Sequence, residues 1–277
     1  MTNFFYRNRF LIARRTSQIG ILVLFYLGVH TDWTIKDVEL LEGNLSSSRF
    51  LEVIPLTDPF AALQIAVSGQ SLFVDALIGA AIILGFYFIV GGRAFCSWVC
   101  PVNIISDSAH KLRSRWKLPR LFTINRKARY WILGMVLAMS AYSGLAAFEW
   151  ISPIAIIHRE IVFGMGMGWM VIGALFFFDL FVQNQAWCGH LCPLGAFYSL
   201  VGKFSLLRVK FDKSKCTKCG ECHMICPEPQ TLSLQRIFRD EMVTSGNCTN
   251  CGRCIPKCPE DCFNFTIRTT GKSFFTN

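Results

Sequence analysis

Leu72–Gly92 is a run of twenty-one residues with a single charge, Asp75, and it leaves the chain few ways to fold. Tyr130–Phe148 and Ile161–Val182 repeat the feature over nineteen and twenty-two residues, and Asp179 is the only other charge in the three runs. A hydrocarbon core of about 30 Å takes roughly twenty apolar residues to cross as a helix. Backbone without water must also satisfy its own hydrogen bonds, which a helix does. Each run therefore reads as a transmembrane helix. A weaker candidate, Thr16–Trp33, has a clean apolar centre at Ile19–Val29 and completes a set of four. No small-x-small cleavage site follows it, so a retained span is expected and not a removed signal peptide. Arg14 and Arg15 before it could belong to a twin-arginine export signal. A basic flank that anchors the helix is the simpler reading.

Composition agrees with a membrane class: 52% of the 277 residues are apolar, 17% are charged and 25 are Phe. The net charge of +10 needs no nucleic acid to explain it. Eighteen Lys and Arg fall in residues 1–15, 93–129 and 184–215, against three in the two intervening loops. The positive-inside rule puts the basic side, and both termini, in the cytoplasm. The first outer loop, about 30–71, is acidic (Asp32, Asp37, Glu39, Glu42, Glu52, Asp58).

The chain is internally duplicated. The second span is followed by FCSWVCP (95–101) and the fourth by WCGHLCP (187–193), each with a basic connector after it. Cys96, Cys100, Cys188 and Cys192 thus belong to one layer at the cytoplasmic ends of two spans. Positions i and i+4 share a helix face, so each pair could offer two sulfurs to one ligand. Cysteine as a small hydrophobe at a helix end is the plainer alternative. Two copies at equivalent places favour an additional redox or metal site. His190 has no counterpart in the first copy, which makes it a packing or capping histidine.

From Lys215 a different module begins. CTKCGECHMICP (216–227) and CTNCGRCIPKCP (248–259) both fit C-x2-C-x2-C-x3-C-P, the bacterial ferredoxin spacing, in which the fourth Cys ligates the other cluster. Cys216, Cys219, Cys222 and Cys258 are expected to hold one [4Fe–4S] cluster, and Cys248, Cys251, Cys254 and Cys226 a second. Gly220 and Gly252 permit positive φ close to the iron, and Pro227 and Pro259 end each loop. Cys219–His223 also matches C-x-x-C-H. Haem attachment would take two cysteines from a complete cluster motif, so no haem is expected. Zinc fits the eight-cysteine layout poorly. Cys262, outside both motifs, reads as a free buried thiol.

The fold class is therefore membrane α-helical, four spans as two repeated pairs over 1–210, with a small α+β two-cluster ferredoxin domain over 211–277. The combination resembles the NapH family, the membrane quinol dehydrogenase component of periplasmic nitrate reductase systems. The resemblance runs over nearly the whole chain: NLSSSRFLEVIPLTDPF (44–60), both CxxxCP motifs, the spans and the tail. It implies an inner-membrane protein that takes electrons from quinol. It also implies a periplasmic iron–sulfur partner, NapG, and in some systems the tetrahaem NapC.

Quinol oxidation releases two protons with its two electrons. Asp75, Asp58 and His158 are the candidate proton acceptors on the outer side, with His30 and Glu149 behind them. Asp75 sits inside a span, where an ionisable group is expensive and suggests function. Asp58, before Pro59, could equally cap a turn. Asp179, in FFFDLF, could pair with a connector Arg or relay protons. Two rivals stand beside quinol oxidation. One is a polyferredoxin that supplies electrons for metal or cofactor insertion; the other is a sensor using exposed CxxxCP thiols.

Overall fold

The structure is a computed structural model of the chain, and it describes all residues except 1, 31–33, 36–37, 40, 51–52, 72, 120, 165, 167 and 269–277. The acidic positions Asp32, Asp37 and Glu52 and the Trp33 end of the first candidate span lie outside the described residues. Two compact units are present. One holds residues 14–86 and 96–197; the other holds 1–13, 87–95 and 198–277. The helix α1 (Thr2–His30) contributes to both.

The first unit is mainly helical. After two short strands, β1 (Thr34–Ile35) and β2 (Val38–Glu39), an antiparallel sheet forms from β3 (Leu41–Gly43), β4 (Ser47–Phe50) and β5 (Ile54–Thr57). The helix α2 (Pro59–Val67) follows, and its apolar residues Phe60, Ala61 and Ala62 are buried. Then α3 (Val74–Val90) occupies nearly the whole of the Leu72–Gly92 run and stops where Gly91 takes φ 124°.

The other two long runs are interrupted. The helix α6 (Ala128–Ser143) ends inside Tyr130–Phe148, at Gly144 with φ 69°, and α7 (Ala147–Ile151) resumes after a turn. Within Ile161–Val182, α8 (Pro153–Phe163) ends at Gly164 and α9 (Gly168–Phe181) begins four residues later. The fourth apolar helix therefore starts at Gly168, not at Ile161. The cause is GMGMG: Gly164 and Gly166 take φ 66° and 80°, a left-handed conformation that helices commonly end on. Glu160 seals the break by accepting from the Gly168 N–H at 3.0 Å. Among the described residues one helix, Phe5–His30, is long and apolar enough to cross a membrane, and α3 and α9 are shorter apolar helices.

Arg14 and Arg15 lie inside α1 and not in a solvated flank ahead of it. Arg15 donates to Asp107 of α5 (Val102–Trp116) at 2.6 Å, and Arg14, 1% exposed, lies 3.9 Å from the same carboxylate. A buried carboxylate is tolerated only with such partners. Arg113 reaches from α5 to the carbonyls of Leu180 and Pro119. Cations that count toward topology in the sequence thus also tie helices to one another, and Arg113 covers a carbonyl at the end of α9.

The second unit is built on the antiparallel pair β6 (Leu207–Phe211) and β7 (Phe263–Ile267). Val209, Phe211, Leu232, Ile237, Val243, Ile255 and Phe263 form its core, with α10 (Pro193–Gly202) leading in and α11 (Glu221–Ile225), α12 (Leu234–Asp240) and α13 (Cys254–Lys257) around it. Residues 87–95 are locked into this unit. A Cβ on Gly92 would stand 2.1 Å from the Tyr198 carbonyl, and one on Gly246 the same distance from the Ser199 carbonyl. Arg93 makes a buried ion pair with Glu228, both side chains being 2% exposed, and also donates to the Asn247 carbonyl.

Candidate functional site

The two ferredoxin-type loops share a conformation that the spacing alone does not dictate. Lys218 and Gly220 in the first, and Asn250 and Gly252 in the second, all take positive φ: 58°, 78°, 47° and 69°. The glycines meet the sequence expectation. The two non-glycine residues do not appear in it. Alternating left- and right-handed residues turn successive N–H groups toward one concavity, which suits a body carrying anionic thiolates. Lys218 donates its N–H to the Cys216 sulfur at 3.3 Å.

The cysteines group as the crossed spacing anticipates. Cys216, Cys219, Cys222 and Cys258 line one cavity. Cys226, Cys248, Cys251 and Cys254 line another. In each set three sulfurs come from one loop and the fourth from the far end of the other. Among the described residues no three Cys, His, Asp or Glu side chains converge as closely as a lone metal ion requires. A cubane binds each sulfur through a different iron and so spreads its ligands wider than one ion does.

The chemistry of the two sets asks for a cationic partner. Burial pushes the Cys226 and Cys254 thiols well up, with neighbouring cysteines adding to it, and Cys248 rises to about 11 through burial. Cys222 shifts the same way, mainly through burial. Four thiols so placed cannot all ionise against one another. Bound metal reverses that balance and holds them as thiolates. Cys262 is buried as expected but is no bystander: it lines the first cavity, and burial together with Cys258 and Cys216 pushes it up to about 12.

The CxxxCP sulfurs are brought together inside the other unit. Cys100 lies within electrostatic reach of Cys96 and Cys192, and Cys188 within reach of Cys100 and Cys192. Cys100 and Cys192 are buried and the other two are half-buried, which removes the exposed thiols that a sensor would present. The first copy is partly an ordinary helix, α4 (Ala94–Trp98). Gln18, wholly buried in α1, fixes it by donating to the Ser97 and Cys100 carbonyls at 3.1 Å. The second copy forms a π-helical turn, Trp187–Leu191. Asp179 accepts from the Trp187 N–H at 2.9 Å and from Ser106, whose hydroxyl also lies 3.3 Å from the Cys188 sulfur; Arg129 donates to the Gly189 carbonyl. His190 spends both ring nitrogens on Gln183 and the Gln185 carbonyl, a packing role. Gln18, Ser106 and Arg129 were missed from sequence. Only Gln18, a polar residue before an apolar stretch, left a trace there.

The three proton-acceptor candidates separate cleanly. Asp58 accepts from the Ala61 N–H and caps α2. Asp75 is exposed and pairs with Arg49 at 3.1 Å. His158 is 1% exposed on the buried face of α8, with the Phe25 ring edge-on at 4.8 Å. Its Nε2 has no hydrogen-bond partner among the described residues. Burial, aided by Arg159, pushes His158 down to about 4, so the ring is neutral at ordinary pH. His30 stacks on Tyr26, and Glu149 accepts from Ser46.

Two loops that place eight cysteines around two cavities define a ferredoxin-type iron–sulfur electron-transfer protein. Comparison with known families agrees. Residues 72–119 and 163–214 match a family described as a 4Fe-4S binding domain, and residues 208–260 a 4Fe-4S dicluster domain. The ferredoxin-type protein NapH of Escherichia coli K12 is 42% identical over 94% of this chain and 90% of its own. The methylamine utilization ferredoxin-type protein MauN of Methylorubrum extorquens is 45% identical over 79% of this chain and 75% of its own. A putative electron transport protein of Escherichia coli, YccM, is 31% identical over 58% of this chain and 49% of its own. No solved structure matches. The chain belongs to the NapH family of ferredoxin-type proteins and is also similar to MauN. Its long apolar N-terminal helix and this membership together point to a membrane protein.

Proposed function

We propose that this protein oxidises a quinol, menaquinol or ubiquinol, and passes the electrons through two [4Fe–4S] clusters toward a periplasmic nitrate reductase. Cys216, Cys219, Cys222 and Cys258 hold one cluster; Cys226, Cys248, Cys251 and Cys254 hold the other. The observation that carries the reading is the division of the eight cysteines, four and four, between two separate cavities. Bound there, the clusters supply one-electron carriers. The chain supplies the thiolates and the Lys218 N–H that donates to the Cys216 sulfur.

Four membrane spans, cytoplasmic termini and an inner-membrane address belong to the same proposal. Its support is the apolar surface the helices leave uncovered. Trp131, Met135, Met139 and Tyr142 form one stripe on α6, 59–96% exposed, and Phe86, Ile89, Trp169 and Phe177 do likewise on α3 and α9. Contiguous apolar surface of this extent needs a cover, and lipid provides one. Work with NapG, and with NapC in some systems, follows from the family.

His158 is the residue that meets the quinol hydroxyl in this reading. Its buried Nε2 without a partner is costly unless something hydrogen-bonds there, and its neutral ring can accept. Asp58 and Asp75 are already committed to a cap and an ion pair. Purified protein in lipid nanodiscs, given a quinol under anaerobic conditions, is expected to show cluster reduction by EPR. His158→Leu is expected to slow that reduction at least tenfold while dithionite still reduces both clusters. Wild-type clusters that dithionite reduces and no quinol reduces would overturn the reading.

A second reading has its own observation. The four CxxxCP sulfurs are electrostatic neighbours, two of them buried and two half-buried, which suits a factor that supplies electrons for metal or cofactor insertion. Metal that co-purifies with those sulfurs and transfers to an apoprotein would favour it.

A further inference from the structure

The two cysteine loops are nearly identical in sequence and backbone, yet their surroundings in the second unit differ sharply. The 248–254 loop is fastened to the segments that lead out of the apolar helices. Asn250, between Cys248 and Cys251, donates its amide to the Val90 carbonyl at 2.8 Å and to the Leu207 carbonyl at 3.0 Å. Val90 is the last residue of α3, and the next residue, Gly91, has no room for a Cβ because Asn250 fills that place at 2.4 Å. Glu228, on the wall of the same cavity, is the buried partner of Arg93. Gly252 packs against Phe10 of α1, where a Cβ would stand 2.7 Å from the ring. Three separate contacts thus join this cavity's wall to α1 and to the end of α3.

The 216–222 loop has no such attachment among the described residues. The Cys219 side chain is exposed, as is Met224 at 80% on the helix that follows. The corresponding residue to Asn250 is Lys218, which lies over the Phe238 ring at 5.6 Å and reaches neither α1 nor α3. The cavity wall around it (Thr217, Glu260, Cys262, Phe263) belongs to the C-terminal module alone.

We propose that electrons follow a fixed order, entering at the Cys226–Cys248–Cys251–Cys254 site and leaving at the Cys216–Cys219–Cys222–Cys258 site. Asn250 is the positioning residue that couples the inner site to the end of α3. This rests on the reading that both sites hold clusters and that a quinol is the donor. The quinol's two electrons pass singly to the inner site; its two O–H bonds break, the protons passing by way of the His158 ring to water, and the quinone leaves. The exposed Cys219 edge is where a one-electron acceptor on the module's own side of the membrane takes the charge, and delivery to a periplasmic enzyme needs a further carrier across the membrane.

The order can be read without turnover. A water-soluble paramagnetic chelate should quicken the relaxation of the Cys216–Cys222 site's EPR signal several-fold more than that of the other site. Equal relaxation, or the reverse, overturns the assignment even if no quinol reduces the protein. With a quinol donor, Cys219→Ser should leave reduction of the inner site at its wild-type rate and slow delivery to an added one-electron acceptor at least tenfold. Cys251→Ser should block quinol reduction of the outer site, which dithionite still reduces. Reduction of the outer site at the wild-type rate in Cys251→Ser would reverse the order. Asn250→Ala should change the inner site's EPR line shape and leave the outer site's unchanged. If it alters both signals equally, Asn250 has no positioning role. Failure of every quinol in the wild type would count against the donor alone, and the chelate result would still decide the order.

Discussion

The molecule uses cysteine in two ways, and the contrast explains why one was readable and the other was not. Eight cysteines sit on two short loops and the helical turns that follow them, each loop with two left-handed residues, and their grouping around two cavities follows the local spacing. Four sit at helix ends, and their arrangement follows from residues far away: Gln18 for the first pair, Asp179 and Arg129 for the second. The same C-x-x-x-C-P spacing gives an α-helical turn in one copy and a π-helical turn in the other. Spacing fixes geometry where the loop supplies its own hydrogen bonds. Where distant partners supply them, it does not.

The strongest way to break this contrast is Cys254→Ser. Loss of one thiolate leaves one iron of that cluster with a weaker oxygen ligand, so this site should lose iron or change its EPR signal while the other site's signal stays as it is. Unchanged iron content with both signals unaltered in shape would mean that Cys254 is not a ligand. Next is the simultaneous change of Cys96, Cys100, Cys188 and Cys192 to Ser. Iron at the two loops should persist, while quinol-driven reduction falls at least tenfold in stopped-flow traces. Unchanged reduction would assign these four to packing.

Smaller effects distinguish the two CxxxCP copies. Asp179→Ala removes the acceptor for the Trp187 N–H and for Ser106, and Gln18→Leu strips the Ser97 and Cys100 carbonyls of their donor. Each should cost about 1–3 kcal/mol for buried groups left unmade, read as a lowered Tm, and Asp179→Ala should also change the environment of Cys188 alone. The smallest effect belongs to Cys262→Ala: iron content stays the same, and only the midpoint potential of the adjoining site moves. Loss of iron would promote Cys262 to a ligand.

The tail was legible almost residue by residue because each loop closes on itself. The eight cysteines, the crossover of Cys226 and Cys258, and positive φ at Gly220 and Gly252 all follow from eleven-residue patterns. The apolar runs showed where helices form but not where they break. GMGMG carries that information at 164–168, and it was masked by the surrounding hydrophobicity. Asp75 looked functional because it falls in an apolar run; the fold pairs it with Arg49, twenty-six residues earlier, which no local pattern foretold. His158 was one candidate among several, because burial and a missing partner are properties of the folded chain.

The Arg93–Glu228 pair has a consequence for anyone who wants the ferredoxin-type module by itself. A fragment beginning at residue 211 keeps every cysteine of both loops but leaves Glu228 behind without its guanidinium. Removing one member of a buried pair typically costs 3–5 kcal/mol, a large share of what a domain of this size has. The fragment would also lose β6, and with it the edge on which β7 pairs. The cluster-carrying tail is therefore not a portable electron carrier, and its smallest viable form includes a piece of the polypeptide from more than a hundred residues upstream.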